Sequence, residues 1–360
     1  MDDLRFPRLE RHKVGGTRDK MILSVPMPKT TSGKFYQYSP NPEAAPRLFL
    51  IANAPEERSI SEEHRNRVRR DPGPGQTVCP YSGYIGPDDA FVHFDDVEAV
   101  KRQVAWEAEQ DVLDYIDAMA QDFNRQQPSG GFISVRMDLK RSHRPKPLAI
   151  REDLLRDLEC GICRRSYGVY AIALFCPDCG GPNLALHFQR EVQLVREQIV
   201  LASQQDGNGQ RELAYRLMGN AHEDVLTAFE TALKTVFRCL IRLHRPNQAP
   251  DLLSKKIIFQ NVDRIREYFA KLGIDPFAPL SARDLQFLST NIQKRHLIGH
   301  NLGIADEHYS QLTQSEQPGE TVQLLGNEIG LFAEICMAVV SGLETWLLPC
   351  AFLPVSSPTP

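Results

Sequence analysis

No sign of charge dominates this chain. Its 42 Lys and Arg stand against 46 Asp and Glu, a formal net charge of −4, which excludes a protein coated in positive potential of the kind that grips duplex nucleic acid by phosphate neutralisation alone. Cysteine is scarce: 8 in 360 residues cannot make a disulfide scaffold. The opening MDDLRFPRLE lacks the basic-then-apolar order of a secretory signal, so a cytoplasmic location is expected. Long apolar runs are missing too, apart from Leu331 to Leu353. That run holds Glu334 and Glu344, and an acidic residue at mid-bilayer costs about 3 kcal/mol. A buried closing helix of a soluble bundle explains the run without that cost, and no membrane partner is expected.

With 42% hydrophobic and 24% charged residues, the chain reads as an ordinary soluble protein of two or three modules. Residues 1–78 carry nine prolines and no sustained period of 2 or 3.6, which reads as an extended, partly disordered segment. Within it Arg65, Arg67, Arg69 and Arg70 can meet phosphate or simply form a solvated linker. Residues 79–150 follow. Asp95 and Glu98 have capping-box spacing, and Val97, Val100, Val104, Val112, Ile116, Met119 and Phe123 recur at helical steps before Pro128, which predicts one long amphipathic helix. Glu107, Glu109, Asp111, Asp114 and Asp117 read as its solvated face. Phe132 to Lys140 then reads as a short strand, and Arg136, Lys140, Arg141, Arg144 and Lys146 form a basic patch suited to nucleic-acid contact.

Four cysteines fall in Cys160-Gly-Ile-Cys163 and Cys176-Pro-Asp-Cys179-Gly180, within a segment 151–186. Each tight CxxC turn points two sulfurs the same way, and the β-rich run Tyr167 to Phe175 returns the chain to the first pair. This is the pattern of a four-cysteine zinc ribbon. A redox CxxC needs one pair, placed at a strand-to-helix junction. Four thiolates leave no coordination position for water, so the zinc is structural. Arg164, Arg165, Tyr167 and Tyr170 either face nucleic acid or complete a small core around the metal. Cys79-Pro-Tyr-Ser82-Gly83 has the form of the second pair with Ser82 in place of a thiol, a knuckle reduced to a plain turn. Cys239, Cys336 and Cys350 read as core residues.

Residues 187–350 read as helical, with helices near 188–204, 209–218, 221–243, 255–272, 281–299 and 326–347 separated by Gly, Asn and Pro; 351–360 is a tail. The expected fold is mainly α, a C-terminal helical bundle with a small β zinc ribbon and a long helix before it, and an extended N-terminal segment. At the end of the fifth bundle helix lie Arg295, His296, His300 and Asn301. An Arg followed by a polar residue and, five residues on, a His resembles the signature of the HEPN superfamily, helical-bundle domains many of which are metal-independent ribonucleases. Arg5/His12, Arg58/His64, Arg136/His143, Arg216/His222 and Arg238/His244 share the bare spacing. A polar residue after the Arg, at a helix end inside a bundle, selects Arg295.

The resemblance, which covers about Leu186 to Leu348, implies an endoribonuclease acting on single-stranded RNA. Arg295 and His300 would be catalytic, His296 and Asn301 assisting. It implies a homodimer with a shared site, a toxin or phage-defence setting, and an antitoxin or regulatory protein as partner. In one well-known variant of the family a Tyr lies two residues after the His; here that position is Leu302. The chemistry suits these residues: an imidazole moves protons near neutral pH while a permanently charged guanidinium steadies the phosphate. Positions 295 and 300 lie about 140° apart on an ideal helix, so they converge through a distorted helix end or a second copy. Glu223 and Asp224, at the expected start of the third bundle helix, either orient them or answer the helix dipole. The alternative is a non-catalytic module that binds RNA or protein. A zinc-peptidase reading of His296 and His300 lacks the Glu that should follow the first His.

Overall fold

A computed structural model describes residues 6–17, 20–27, 29–53, 60–126, 137, 155–254, 257, 259–300, 303–313 and 317–348. They divide into two units, one from Met1–Tyr38 and Phe91–Leu154, the other from Ser39–Ala90 and Leu155–Pro360.

In the first unit, β1 (Lys13–Gly16) and β2 (Met21–Leu23) pair antiparallel, and a helix of 33 residues, α1 (Phe94–Gln126), matches the expected amphipathic helix in extent. Its faces are not as expected. Glu107 and Asp111 are buried, while Val97, Ile116, Met119 and Phe123 are exposed. The acids are turned inward because the N-terminal segment supplies partners: Arg8, on a one-turn helix at Pro7–Glu10, bonds Asp111 at 2.8 Å and Asp114 at 2.6 Å, and His12 Nε2 lies 3.1 Å from Glu107. The region read as extended therefore carries short helices and strands. The basic residues Arg136, Lys140, Arg141, Arg144 and Lys146 lie outside the described residues.

In the second unit β3 (Leu48–Ile51) pairs antiparallel with β7 (Ser166–Val169), which pairs on its other side with β6 (Arg156–Glu159). Phe49, Leu50, Tyr167 and Val169 are wholly buried. A separate hairpin joins β4 (Gln76–Val78) to β5 (Ile85–Pro87).

The bundle follows: α2 (Leu184–Gly207), α3 (Arg211–His244), α4 (Val262–Ala270), α5 (Ala282–His300) and α6 (Gly326–Glu344). The expected break between 218 and 221 does not occur, and α3 runs through Gly219. A helical Gly costs only about 1 kcal/mol against Ala, while Val225, Leu226, Phe229, Leu233, Val236, Phe237, Leu240 and Ile241 all bury on one stripe. That burial, at about 1.5–3 kcal/mol for each large side chain, outweighs the glycine. The expected helix over 255–272 is instead Ala249–Ser254 followed by α4, because Asn261 caps α4 by accepting from the Asp263 and Arg264 amides.

Helix α6 with its following turn, Gly326–Leu347, is long and apolar enough to cross a membrane. Here Phe332, Cys336, Val339, Val340 and Leu347 fill the bundle core. Its acids have protein partners: Glu344 accepts from the Ala185 amide at the start of α2, 2.7 Å, and Glu334 pairs with Arg196 at 3.1 Å. Burial pushes the Glu344 carboxyl above its ordinary range. Cys239 and Cys336 are core residues as expected; Cys350 lies outside the described residues.

Candidate functional site

Three turns of one design gather at the ribbon. In each, a Cys amide closes onto the carbonyl five residues on, and the amide four residues on returns to the Cys carbonyl. These pairs are Cys160 with Arg165 and Arg164, Cys176 with Gly181 and Gly180, and Cys79 with Tyr84 and Gly83, all at 2.8 to 3.0 Å. The fifth residue takes a left-handed backbone every time, with φ 59° at Arg164, 69° at Gly180 and 72° at Gly83. This geometry follows from the need to turn two side chains at positions one and four toward one point.

In the first two turns both positions hold thiols. Cys160, Cys163, Cys176 and Cys179 are buried with all four sulfurs within 4.8 Å of one another. Cys160 Sγ is 3.8 Å from Cys179 Sγ, and Cys163 Sγ is 3.6 Å from Cys176 Sγ. A tetrahedral zinc with bonds of about 2.3 Å sets sulfurs about 3.8 Å apart, so the donor set fits the ion. The amides of Ile162, Asp178 and Gly181 donate to Cys160, Cys176 and Cys179 Sγ, each at 3.4 Å, which favours thiolates and fixes their lone pairs. The four cysteines form a structural zinc site. The third turn presents Cys79 and Ser82 and belongs to no such cluster among the described residues.

What surrounds the metal decides between the two readings for Tyr167 and Arg165, whereas Arg164 is exposed and pairs with Glu159 at 3.1 Å. Tyr167 is wholly buried, its hydroxyl accepting from Asn183 Nδ2 at 2.9 Å, and Arg165 reaches toward the buried Asp178, 3.8 Å. Both belong to the core around the site. Arg69 and Arg70, read as able to meet phosphate, serve the second knuckle. The Arg69 guanidinium lies 3.8 Å from the centre of the Phe175 ring and donates to the Gly83 carbonyl at 2.7 Å. Arg70 donates to the Asp178 carbonyl at 3.1 Å and to the carbonyls of Gly73 and Gln76. A methyl group at Gly180 would sit 2.6 Å from Arg69 Cβ.

At the other candidate site, α5 ends at His300. Arg295, five residues or about one and a half turns before that end, is held by Glu223 of α3, with Nη2 donating to Oε1 at 3.3 Å. Asp224 instead accepts from Gln198 at 2.7 Å. The side chains of His296 and His300, and all of Asn301, lie outside the described residues. Sequence reasoning passed over the neighbours of Arg295. Lys294 is buried, donating to Glu328 at 3.0 Å and to the Gln323 carbonyl at 3.2 Å. His222 is buried too, stacked on Phe332 with its Nε2 3.1 Å from Asn291 Oδ1. Burial pulls the His222 pKa down to about 4, and the charges of Lys294 and Arg295 push the same way. His222 is therefore a neutral strut, with Nε2–H donating to Asn291. The one sequence signal for it was the Arg216/His222 spacing, discarded for want of a polar neighbour.

Set against protein-family models, curated proteins and solved structures, the chain matches none.

Proposed function

We propose that this protein is a zinc-stabilised helical module that cleaves single-stranded RNA without a catalytic metal, in the manner of HEPN ribonucleases. The observation that supports the reading is the setting of Arg295: α3 fixes the guanidinium through Glu223 on the last turns of a helix whose final residue is His300. In the reaction an RNA 2′-oxygen attacks its neighbouring phosphorus and the bond to the 5′-oxygen breaks. One imidazole of His300 takes the 2′ proton, another supplies the proton to the leaving oxygen, and Arg295 neutralises the charge gathering on the phosphate. The products are a 2′,3′-cyclic phosphate and a 5′-hydroxyl. DNA, which lacks the attacking group, is not cut.

A twofold homodimer would supply both imidazoles in one cleft, with His296 and Asn301 assisting and the basic stretch 136–146 holding the strand. A cytoplasmic toxin or phage-defence role, with an antitoxin or regulatory protein, follows from the resemblance. A second reading, a non-catalytic RNA- or protein-binding module, is favoured by the same pair, because Glu223 already answers part of the charge of Arg295. Incubation of unstructured RNA with the purified protein in chelator separates the two. Cleavage with cyclic-phosphate ends, lost in both Arg295→Ala and His300→Ala, is the expected result; wild type and variants behaving alike overturns the enzyme reading.

A further inference from the structure

The degenerate third knuckle faces the bundle across a concavity. Ser82, with Asn41 and Glu43 from the loop before β3, forms one wall of a cavity of about 260 Å³. Thr235, Arg238 and Arg242, at steps of three and four on α3, form the other. Arg242 is engaged, its Nε 2.9 Å from Glu43 Oε2. Arg238 is half-buried and makes no ion pair or hydrogen bond among the described residues. The helix dipole does not account for it, because Arg242 and His244 occupy the last turn of α3 and the pull of the dipole fades within that turn.

The neighbouring side chains narrow what can answer Arg238. Thr235 and Tyr81 spend their hydroxyl protons on the Thr231 and Leu48 carbonyls, at 2.7 and 2.8 Å. Asn41 Oδ1 accepts from the Glu43 amide at 2.9 Å, and Ser82 Oγ accepts from the Tyr84 amide at 3.4 Å. What Asn41 and Ser82 keep is donors: amide hydrogens and a hydroxyl hydrogen. A guanidinium and two neutral donors, in a concavity that already takes the Glu43 carboxylate, suit a second carboxylate. Beyond the Glu43–Arg242 pair lies another cavity, of about 310 Å³, whose remaining walls are Pro246, Ala249, Pro250 and Leu253. A polar chamber and an apolar one thus share an ion pair as their partition. Both fall at or below the lower end of the range of about 300–1,000 Å³ usual for whole small molecules, so each suits one side chain.

We propose that the two chambers dock an extended acidic segment of a partner protein. A Glu or Asp carboxylate of the partner takes the donor fork of Arg238 with Asn41 and Ser82 beside it, and an apolar side chain two residues away packs against Pro250 and Leu253. Alternate residues of an extended peptide point the same way at intervals of about 6.6 Å, close to the rise of about 6 Å from Arg238 to Arg242 along α3. Glu43 is a built-in competitor, because its own negative charge opposes the incoming acid across the same concavity. The surface is separate from the Arg295 region: position 238 lies fifteen residues beyond Glu223 on the same helix, about 22 Å along its axis.

The test is calorimetric titration of the zinc-loaded full chain with the peptide acetyl-Gly-Glu-Gly-Leu-Gly-amide, capped so that the Glu side chain carries its only carboxylate. The expected result is saturable binding, weakened tenfold or more in Arg238→Gln and tightened severalfold in Glu43→Gln. A peptide with Gln in place of Glu should bind at least tenfold more weakly, and one with Ser in place of Leu severalfold more weakly. Leu253→Ala should weaken the Leu peptide and leave the Ser peptide unaffected. Arg216→Ala, at an exposed pair about 33 Å away along α3, should change nothing, and circular dichroism melting should show the variants folded. No saturable binding at millimolar peptide, an affinity indifferent to Arg238→Gln or to the Gln peptide, or a Glu43→Gln variant that binds more weakly would overturn the proposal. Equal binding of the Leu and Ser peptides would overturn the role of the apolar chamber. Inorganic phosphate or an oligouridine that displaces the peptide more effectively than free peptide does would overturn the choice of a protein partner. None of these outcomes depends on RNA cleavage, so this proposal and the ribonuclease reading fail separately.

Discussion

Glu223 and Arg295 join α3 to α5 at a point where two neighbouring polar contacts, His222 with Asn291 and Lys294 with Glu328, are already buried. Of the two cations and one imidazole, Arg295 alone keeps appreciable exposure, 27% of its side chain. A guanidinium carries five donors, so it can keep Glu223 and still receive a phosphate.

Replacing Glu223 by Ala should therefore cost little stability, below about 1 kcal/mol for an exposed pair, and lower RNA cleavage about tenfold by releasing Arg295 from its position. Thermal melting and a cleavage time course read the two effects separately. An unchanged cleavage rate would show that Glu223 does not orient the guanidinium.

Metal analysis of the purified chain should return one zinc per molecule, and Cys163→Ser should lose it with a large fall in melting temperature. Because Arg69 ties the second knuckle to the Cys79 turn through Phe175 and Gly83, hydrogen exchange in β4 and β5 should rise along with that of the ribbon itself. A chain with four free thiols at 160, 163, 176 and 179 and no zinc would contradict the site.

The left-handed fifth positions give a paired test. Gly180→Ala adds backbone strain and a methyl group 2.6 Å from Arg69 Cβ, a loss of about 2 kcal/mol. Arg164→Gly removes strain at φ 59° and should gain up to about 1 kcal/mol, since its pairing with Glu159 is exposed and weak. Denaturant melts of the zinc-bound proteins should move in opposite directions.

His222 makes stability depend on pH. Its folded pKa of about 4 lies below the unfolded value of about 6.5, so above pH 6.5 it is neutral in both states and its contribution is complete. As pH falls from about 6.5 toward 4, the unfolded chain binds a proton that the folded one refuses, and stability drops by about 3 kcal/mol in all. Denaturant melts at pH 7 and pH 5 should differ less in His222→Gln than in wild type.

The zinc ligands were legible because the chemistry is local: two short turns, each written in five consecutive residues, with a β-rich return between them. The buried stripe of α3 was legible for the same reason, since its period is carried by one helix. What failed was long-range. Nothing beside Glu107 and Asp111 in the sequence says that Arg8 and His12, about a hundred positions earlier, turn those acids inward. Arg69 and Arg70 read as phosphate ligands or a solvated linker because their partners, Phe175 and the Asp178 carbonyl, are over a hundred residues distant. Charge patterns name a partner's sign, and only the fold decides whether that partner is solvent, ligand or the same chain.

The pairing of β3 with β7 has a consequence for synthesis. Leu48-Phe-Leu-Ile51 leaves the ribosome well over a hundred residues before Ser166–Val169, the strand that will cover its hydrogen-bonding edge. At about 5–20 residues per second, that edge of the apolar strand waits uncovered on the order of 6–24 s. During that interval it is an open template for another nascent chain. Overproduction should therefore test the waiting strand more than the finished bundle: aggregation should fall when translation slows or a holding chaperone is supplied, and Phe49→Lys should improve the solubility of chains truncated before residue 160 while harming the full-length protein.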